Sequence, residues 1–197
     1  MRGVEQIPWL YDFTMSLGEA TGLKRWREWL VRGARGLTLD VGCGTGRNLP
    51  LYDSGVRAVG LDPSMDSLKK ARQRAPGVPL VRGSAEALPF RDGTFDTVVS
   101  GLVFCSVPDP RRGLREVKRV LKQAGTLRML EHVRSTRRLG AKWQDIIQPA
   151  WTWCAGGCHP NRDTESNVRA SGFEIEGDTL RSSGVMRRFS ARPVATR

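Results

Sequence analysis

The stretch LDVGCGTGRN, residues 39–48, carries three glycines, Gly42, Gly44 and Gly46, directly after a short apolar run. Glycine adopts backbone conformations that other residues avoid, and its missing side chain lets a ligand approach the main chain closely. Where such a turn leads from a strand into a helix, unpaired amide groups at the helix N-terminus also face that ligand. The stretch therefore predicts a first strand that ends in a cofactor-binding turn.

The segments around this turn alternate between strand-like and helical patterns. Short apolar runs, separated by helical or loop segments, occur at residues 37–42, 56–62, 79–85, 95–104 and 126–133. Apolar strands that alternate with helices indicate a parallel sheet buried on both faces. Two later runs, 172–180 and 185–194, are separated only by RSSG, and so short a connection predicts antiparallel pairing. We predict an α/β fold with a doubly wound, mostly parallel, seven-stranded sheet, a C-terminal antiparallel hairpin and N-terminal helices.

The length and pattern of the chain indicate a single domain. With 197 residues and 39% hydrophobic content, the chain can bury one sizeable core. Leu23, Trp26 and Leu30 repeat at helical spacing, and a second helix is expected around residues 9–17. We divide the domain into an N-terminal helical cap, a cofactor-binding core, a helical insertion on the substrate side and the hairpin, at residues 1–36, 37–133, 134–171 and 172–197.

The composition also bears on location and redox state. No run approaches the roughly 18 apolar residues that would span a bilayer, and the first residues lack the apolar core of a signal peptide. We therefore expect a cytoplasmic protein. The four cysteines follow no disulfide framework, which favours reduced thiols.

The charge balance is strongly basic, with 32 Lys and Arg against 20 Asp and Glu. A net charge of +12 favours anionic partners such as nucleic acid or acidic lipid surfaces. However, Arg111, Arg115 and Lys118 recur at helical spacing opposite Leu114 and Val117, which is typical of a solvated helix face. We expect a small-molecule acceptor and weak association with acidic membrane surfaces, and we expect neither nucleic acid nor an obligate protein partner.

A second feature supports a nucleoside ligand. Asp62 ends the second strand-like run, 16 residues after Gly46, where a carboxylate can accept hydrogen bonds from both hydroxyls of a ribose. The G-x-G-x-G spacing departs from the G-x-G-x-x-G dinucleotide fingerprint. The alternative is that these are only turn glycines and a helix cap.

At this point the sequence resembles the class I methyltransferases that use S-adenosylmethionine (SAM). Residues 39–48 resemble their first motif, 59–74 the second, 83–100 the third and fourth, and 116–132 the segment that leads into the fifth strand. The resemblance implies a Rossmann-like fold, SAM as cofactor and S-adenosylhomocysteine as product. More narrowly, IPWLYD, LVFCSVPDP and QPAWTWCAGGCHPNRDT are similar to small methyltransferases grouped with the ubiquinone-type and animal alkyl-thiol enzymes.

The resemblance also implies roles for individual residues. It puts the methionine moiety near Asp40 and Gly42, the close backbone approach at Gly44 and the ribose on Asp62. It further implies that the adenine lies against Met65, Ser84 and Ala85. The sulfonium is implied to lie over Ser100 and Leu102. Relatives commonly carry Asp at the position of Ser84. Without the resemblance, Met65 would be interpreted as a core methionine.

The acceptor side is expected at the ends of the fourth and fifth strands. Methyl transfer is an in-line displacement, so the protein must hold the nucleophile about 3 Å from the methyl carbon and exclude water. Cys105 and His132 follow the two strands, and we predict that His132 serves the acceptor as a proton acceptor oriented by Glu131. The alternative is a histidine bonded into the core.

Further residues are predicted to close the acceptor pocket. Tyr11, Trp151 and His159 are expected to line it together with Cys105, although the aromatic residues would equally complete a core. Cys154, Cys158 and His159 offer three zinc ligands within six residues. Because the sequence supplies no second cluster, we predict no metal, and we assign Asp163 to the cap of the next helix.

These observations favour an enzyme that methylates a small, largely apolar acceptor such as a thiol, a quinone or a lipid head group. One alternative is a nucleic-acid methyltransferase, which the charge favours. The fourth strand, however, lacks the Asn or Asp-Pro-Pro-aromatic motif in which amino-nitrogen base methylases resemble one another. Another alternative is a non-catalytic SAM-binding protein.

Overall fold

The structure is a computed structural model that describes residues 23–154 and 157–194. Five α-helices occur in this part of the chain: α1 (Lys24–Arg32), α2 (Met65–Arg74), α3 (Pro110–Val120), α4 (Arg138–Cys154) and α5 (Thr164–Ala170). The strands are β1 (Leu37–Val41), β2 (Arg57–Asp62), β3 (Leu80–Arg82), β4 (Phe95–Gly101), β5 (Leu121–His132), β6 (Phe173–Ile175), β7 (Arg181–Ser183) and β8 (Met186–Pro193). The helix predicted around residues 9–17 lies outside the described residues.

The strands form one sheet in the order β3-β2-β1-β4-β5-β8-β6, with β7 paired to β8. Strands β1 to β5 pair in parallel, whereas β8 runs antiparallel to β5, β6 and β7. The order reverses between β1 and β4, and in such open sheets ligands bind at this switch point, beyond the carboxyl ends of the strands. The predicted fold class is confirmed.

The C-terminal hairpin differs in detail from the prediction. Residues 181–183, expected to form the turn, form the short strand β7 instead and pair with β8. The chain reverses at Gly184, whose φ of +57° is a conformation that suits glycine. The sheet of the described residues therefore has eight strands rather than seven.

Polar side chains cap three of the helices, and one of these caps, Asp163, is the residue predicted above. Asp109 accepts a hydrogen bond from the amide of Arg112 and caps α3, with Pro110 in the first turn. Asp163 caps α5 in the same way, through the amide of Ser166. At α2 the cap is Ser64, so that Pro63 precedes the helix and lies outside its first turn.

The core lies between the sheet and the helices packed on it. Leu114 and Val117 of α3 are fully buried while Arg111 and Arg115 are exposed, as the charge pattern predicts. Burying each such side chain stabilises the fold by about 1.5–3 kcal/mol. No helix in the described part of the chain is both long and apolar enough to cross a membrane.

Candidate active site

A cavity of about 680 Å³ opens along the carboxyl edge of the parallel strands. Its walls come from the turn after β1, the start of α2, residues 82–86, the loop 102–108 and the end of β5. Of the predicted site residues, the lining contains Gly42, Gly44, Asp62, Met65, Ser84, Ala85, Leu102, Cys105 and His132. Other predicted site residues among those described lie outside the lining: Asp40, Gly46, Ser100, Glu131, Trp151 and His159. Tyr11 lies outside the described residues.

The glycines of the turn after β1 are required for different reasons. All three have positive φ. A Cβ atom on Gly46 would lie 2.9 Å from the Cα of Ala71, so this glycine allows α2 to pack against the turn. A Cβ atom on Gly44 would meet nothing within 4 Å, and Gly44 borders the cavity. Gly46 is therefore required because a side chain there would collide with α2. At Gly44 no atom of the described residues fills the space in front of the backbone, so a ligand can approach it.

Asp62 connects the glycine turn to α2. Its two carboxylate oxygens accept hydrogen bonds from the amides of Gly44, at 2.9 Å, and Ser64, at 2.8 Å. Burial raises the pKa of this carboxyl, and the two amides offset part of that rise. Sequence reasoning did not find this contact. The same carboxylate lines the cavity, so it shapes the turn and remains available to a ligand.

Asp40 lies behind the turn and is fully buried. Its carboxyl accepts hydrogen bonds from the side-chain amide of Asn48, at 3.3 Å, and from the hydroxyl of Tyr52, at 3.1 Å. The Arg27 guanidinium donates to Asn48 in turn, at 2.7 Å, and so connects α1 to this group. Burial raises the pKa of Asp40 from 3.8 to about 7, while these neighbours lower it. These hydrogen bonds connect β1, α1 and the residues after the glycine turn, and so hold the turn on the side away from the cavity.

Glu131 holds the loop that follows β4. Its fully buried carboxyl accepts hydrogen bonds from the Ser100 hydroxyl and from three successive amides, those of Val103, Phe104 and Cys105, at 3.0–3.3 Å. The loop needs this support because it begins at Leu102, a non-glycine residue with φ of +62°. Burial raises the pKa of Glu131, and the amides lower it.

The predicted orientation of His132 by Glu131 does not match this geometry. Both Glu131 oxygens accept hydrogen bonds from Ser100 and the loop amides. Successive side chains of a strand also point to opposite faces, so that His132 lines the cavity and Glu131 does not. Glu131 is therefore a positioning residue for the loop.

His132 lies instead beside two cysteines. Its Nδ1 atom is 3.9 Å from the Sγ atom of Cys158, and the ligand atoms of Cys105, His132 and Cys158 all lie within 4.8 Å of one another. The pKa of Cys158 is lowered to about 4, first because the Cys105 thiol hydrogen-bonds to it and then because of His132 and the Trp151 side chain. The pKa of Cys105 is raised correspondingly.

The group of possible metal ligands in the structure differs from the group that the sequence suggested. There, Cys158 was grouped with Cys154 and His159, but the structure brings it to Cys105 and His132. The ring nitrogen Nδ1 of His159 accepts a hydrogen bond from Gln148, at 3.1 Å, and the His159 amide donates to the Cys105 carbonyl, at 2.8 Å. Burial lowers the pKa of His159. The sequence signal for the observed group was limited to the position of Cys105 after the fourth strand and of His132 at the end of the fifth.

Known proteins resemble the chain across this region. Residues 39–129 match a protein family described as "Methyltransferase domain". Thiol S-methyltransferase TMT1B of Rattus norvegicus is 34% identical over 143 residues, or 68% of this chain and 59% of that protein. Phosphatidylethanolamine N-methyltransferase of Cereibacter sphaeroides is 37% identical over 130 residues, or 62% of this chain and 63% of that protein. The chain thus spans about 60% of the length of these relatives.

A solved structure is similar over most of the chain. The crystal structure of a SAM-dependent methyltransferase from Thermotoga maritima, described as a possible histamine N-methyltransferase, superposes with a TM-score of 0.64. It is 24% identical, and the superposition covers 84% of this chain and 85% of that one. At this identity the likeness is one of fold, and it agrees with the doubly wound sheet described above.

Proposed function

On the premise that the chain belongs to the class I SAM-dependent methyltransferases, we propose that it transfers the methyl group of SAM to a small, largely apolar acceptor. One observation carries the proposal. A single cavity joins the glycine turn and Asp62, at one end, to His132, Cys105 and Cys158 at the other. A volume of about 680 Å³ falls within the range of small-molecule sites.

The cofactor occupies the end of the cavity next to the glycine turn. Asp62 accepts hydrogen bonds from the ribose hydroxyls, and the open space at Gly44 admits the methionine moiety. Met65 is 47% exposed at the first turn of α2, which argues against a core methionine and supports packing on the adenine. Ser84 and Ala85 border the adenine edge. Asp40, Gly46 and Ser100 support this site from behind.

The acceptor enters at the other end and meets the methyl group near Leu102. SAM supplies an electrophilic methyl group on a sulfonium. An acceptor held beside it would form the new bond to the methyl carbon with its lone pair, the carbon–sulfonium bond would break, and S-adenosylhomocysteine would be the second product. Glu131 fixes the loop that carries Leu102 and Cys105, and the imidazole of His132 accepts the acceptor's proton. Trp151 borders this end through its contact with Cys158.

A thiol is the acceptor that fits these groups best. A free thiol has a pKa near about 8.5, so one imidazole is a sufficient proton acceptor, whereas a hydroxyl needs a stronger base. The named activity of the rat relative is of this class, and that of the bacterial relative concerns a lipid amine. Quinones and lipid head groups are therefore the acceptors to test beside thiols.

A panel assay tests the function. The protein is incubated with SAM and with alkyl thiols, quinols, phosphatidylethanolamine or RNA, and methylated products are measured by mass spectrometry. We expect a methyl thioether. A methylated lipid or quinol would replace the thiol as acceptor, and a methylated RNA would establish the nucleic-acid alternative. Calorimetric binding of SAM without any product would favour the non-catalytic alternative.

We also propose that α4 rests on acidic membrane surfaces, from which apolar acceptors are drawn. Four apolar side chains on one face of α4 are between 64% and 83% exposed: Leu139, Trp143, Ile146 and Trp153. Their spacing of four, three and seven residues places them on one stripe. Exposed basic residues, Arg137, Arg138 and Lys142, lie beside it, and each contributes about 1 kcal/mol near an anionic surface.

Vesicle sedimentation tests this surface. Vesicles that contain phosphatidylglycerol should sediment the protein at low ionic strength and release it at high salt. Joint replacement of Trp143 and Ile146 by Ser should weaken the association, whereas Val194→Ser, an exposed apolar residue on β8's C-terminal side, should not. Equal sedimentation of both variants, or none at low salt, would contradict the proposal.

A further inference from the structure

The cluster of Cys105, His132 and Cys158 has the composition of a metal site. The three side chains come from separate segments: the loop after β4, the end of β5 and the loop before α5. Both cysteines are at most 2% exposed, and all three residues line the cavity. Two sulfur ligands and one imidazole form a donor set that suits zinc.

The distances are close to those of a tetrahedral site. With Zn–S near 2.3 Å and Zn–N near 2.0 Å, neighbouring ligand atoms of a tetrahedral site lie about 3.5–3.8 Å apart. Cys158 Sγ and His132 Nδ1 are 3.9 Å apart, and no pair in the cluster exceeds 4.8 Å. Shifts of at most about 1 Å therefore bring all three atoms into coordination.

Hydrogen bonds hold the three segments together. The amide of His159 donates to the Cys105 carbonyl, at 2.8 Å, and so joins the segment of Cys158 to that of Cys105. The Arg162 guanidinium donates to the carbonyls of Phe104 and Val107, at 2.7 and 2.6 Å. The side-chain amide of Gln144 donates to the carbonyls of Val133 and Pro160, at 3.1 and 2.8 Å. The ligand positions are thus fixed before any ion binds.

We propose that Cys105, His132 and Cys158 bind one Zn²⁺ ion whose fourth position faces the cavity. Three protein ligands and one open position are the pattern of catalytic rather than structural zinc. The proposal replaces the grouping of Cys154, Cys158 and His159, because the His159 ring already accepts a hydrogen bond from Gln148. As a zinc ligand His132 acts on the acceptor through the ion, which then takes over the activation of the thiol that the free imidazole would otherwise provide by accepting its proton.

A zinc site at this place explains how a thiol acceptor is activated, and this step rests on the proposed function. The acceptor thiol takes the fourth position and releases its proton to water. Its sulfur lone pair then forms the bond to the methyl carbon, while the carbon–sulfonium bond breaks and its electrons remain on the cofactor sulfur. The products are a methyl thioether, which leaves the ion because it is the weaker ligand, and S-adenosylhomocysteine.

Metal titration of the reduced, chelator-stripped protein tests the site. One equivalent of Zn²⁺ should bind per chain, and Co²⁺ in its place should give thiolate-to-cobalt charge transfer and tetrahedral d–d absorption. Cys105→Ser, Cys158→Ser and His132→Gln should each weaken binding by at least about a hundredfold. His159→Gln, the matched histidine control, should bind as the wild type does. Stoichiometric binding that survives Cys158→Ser, or that His159→Gln abolishes, would overturn the proposal.

Alkylation of the unaltered protein provides a measurement that needs no variant. Zn²⁺ should protect Cys105 and Cys158 from iodoacetamide, as mapped by mass spectrometry, and should leave the reactivity of Cys43 unchanged. Equal alkylation of Cys158 with and without Zn²⁺ would overturn the site. Thiol methylation by the zinc-free protein at the rate of the zinc-loaded protein would refute the role of the ion in activating the thiol and leave the proposed function standing. Zinc binding without any methyl product would refute the proposed function alone.

Discussion

Replacing Asp62 by Ala tests the cofactor end of the cavity. The change removes the acceptor of two amides, those of Gly44 and Ser64, and the proposed acceptor of the ribose hydroxyls. A hydrogen bond to a charged group contributes about 1.5–3 kcal/mol, so the loss of the ribose contact should weaken SAM binding by roughly one to two decades. The freed amides lie at the cavity edge, where water can replace the carboxylate. We therefore expect only about 1–2 kcal/mol of lost folding stability.

Titration calorimetry with two ligands separates the direct contact from the effect on the turn. S-adenosylhomocysteine should lose the stated affinity in Asp62→Ala, whereas an analogue without the two ribose hydroxyls should lose much less. The difference is the coupling energy between the carboxylate and the hydroxyls. Asp66→Ala is the control, because Asp66 also lines the cavity but pairs with Lys69 on the surface, at 3.1 Å. Equal losses for the two ligands would refute the ribose contact.

The remaining predictions concern the buried carboxyls and His132. Glu131→Ala leaves three loop amides without an acceptor and should cost at least about 3 kcal/mol, a fall of roughly 6–12 °C in the thermal midpoint, while exposed Glu174→Ala should change it little. Because burial raises the pKa of Asp40 to about 7, the native state binds this proton more tightly than the unfolded state does. The contribution of Asp40 to the free energy of unfolding should therefore be fully present below pH 3.8 and should be lost as the pH rises towards 7. Denaturant titrations of Asp40→Asn should lack this part of the pH dependence. His132→Ala should lower turnover by about ten- to a thousandfold with SAM affinity nearly unchanged, and undiminished turnover by the folded variant would make the histidine structural.

The sequence predicted those features that depend on neighbouring residues. The alternation of apolar runs with helices predicted the parallel sheet, and Asp163 identified the start of α5. Asp62 could be found from the sequence because it is the last residue of the second strand, and the strand end is visible in the pattern. What the sequence could not give are contacts set by tertiary structure. The approach of Cys158 to Cys105 depends on hydrogen bonds from His159 and Arg162, which no periodicity indicates.

Glu131 illustrates why the local pattern misled. Its place beside His132 suggested a catalytic pair, but neighbouring strand residues face opposite sides of the sheet. Which side each faces depends on the register of β5 against β4, where Ser100 lies opposite Met129, and on the positive φ at Leu102 that folds the loop back. Neither property has a signal in a single sequence.

Residues 102–105 contact both ends of the cavity. At one end, a Cβ atom on Gly42 would lie 2.5 Å from the side chain of Val103, so the loop packs directly against the glycine turn. At the other end, Cys105 contributes its sulfur to the cluster with His132 and Cys158. Since Glu131 bonds to the amides of Val103 and Cys105, one buried carboxyl sets the position of both ends. The distance between a methyl donor and its acceptor would therefore be fixed from behind the cavity, by a residue that touches neither.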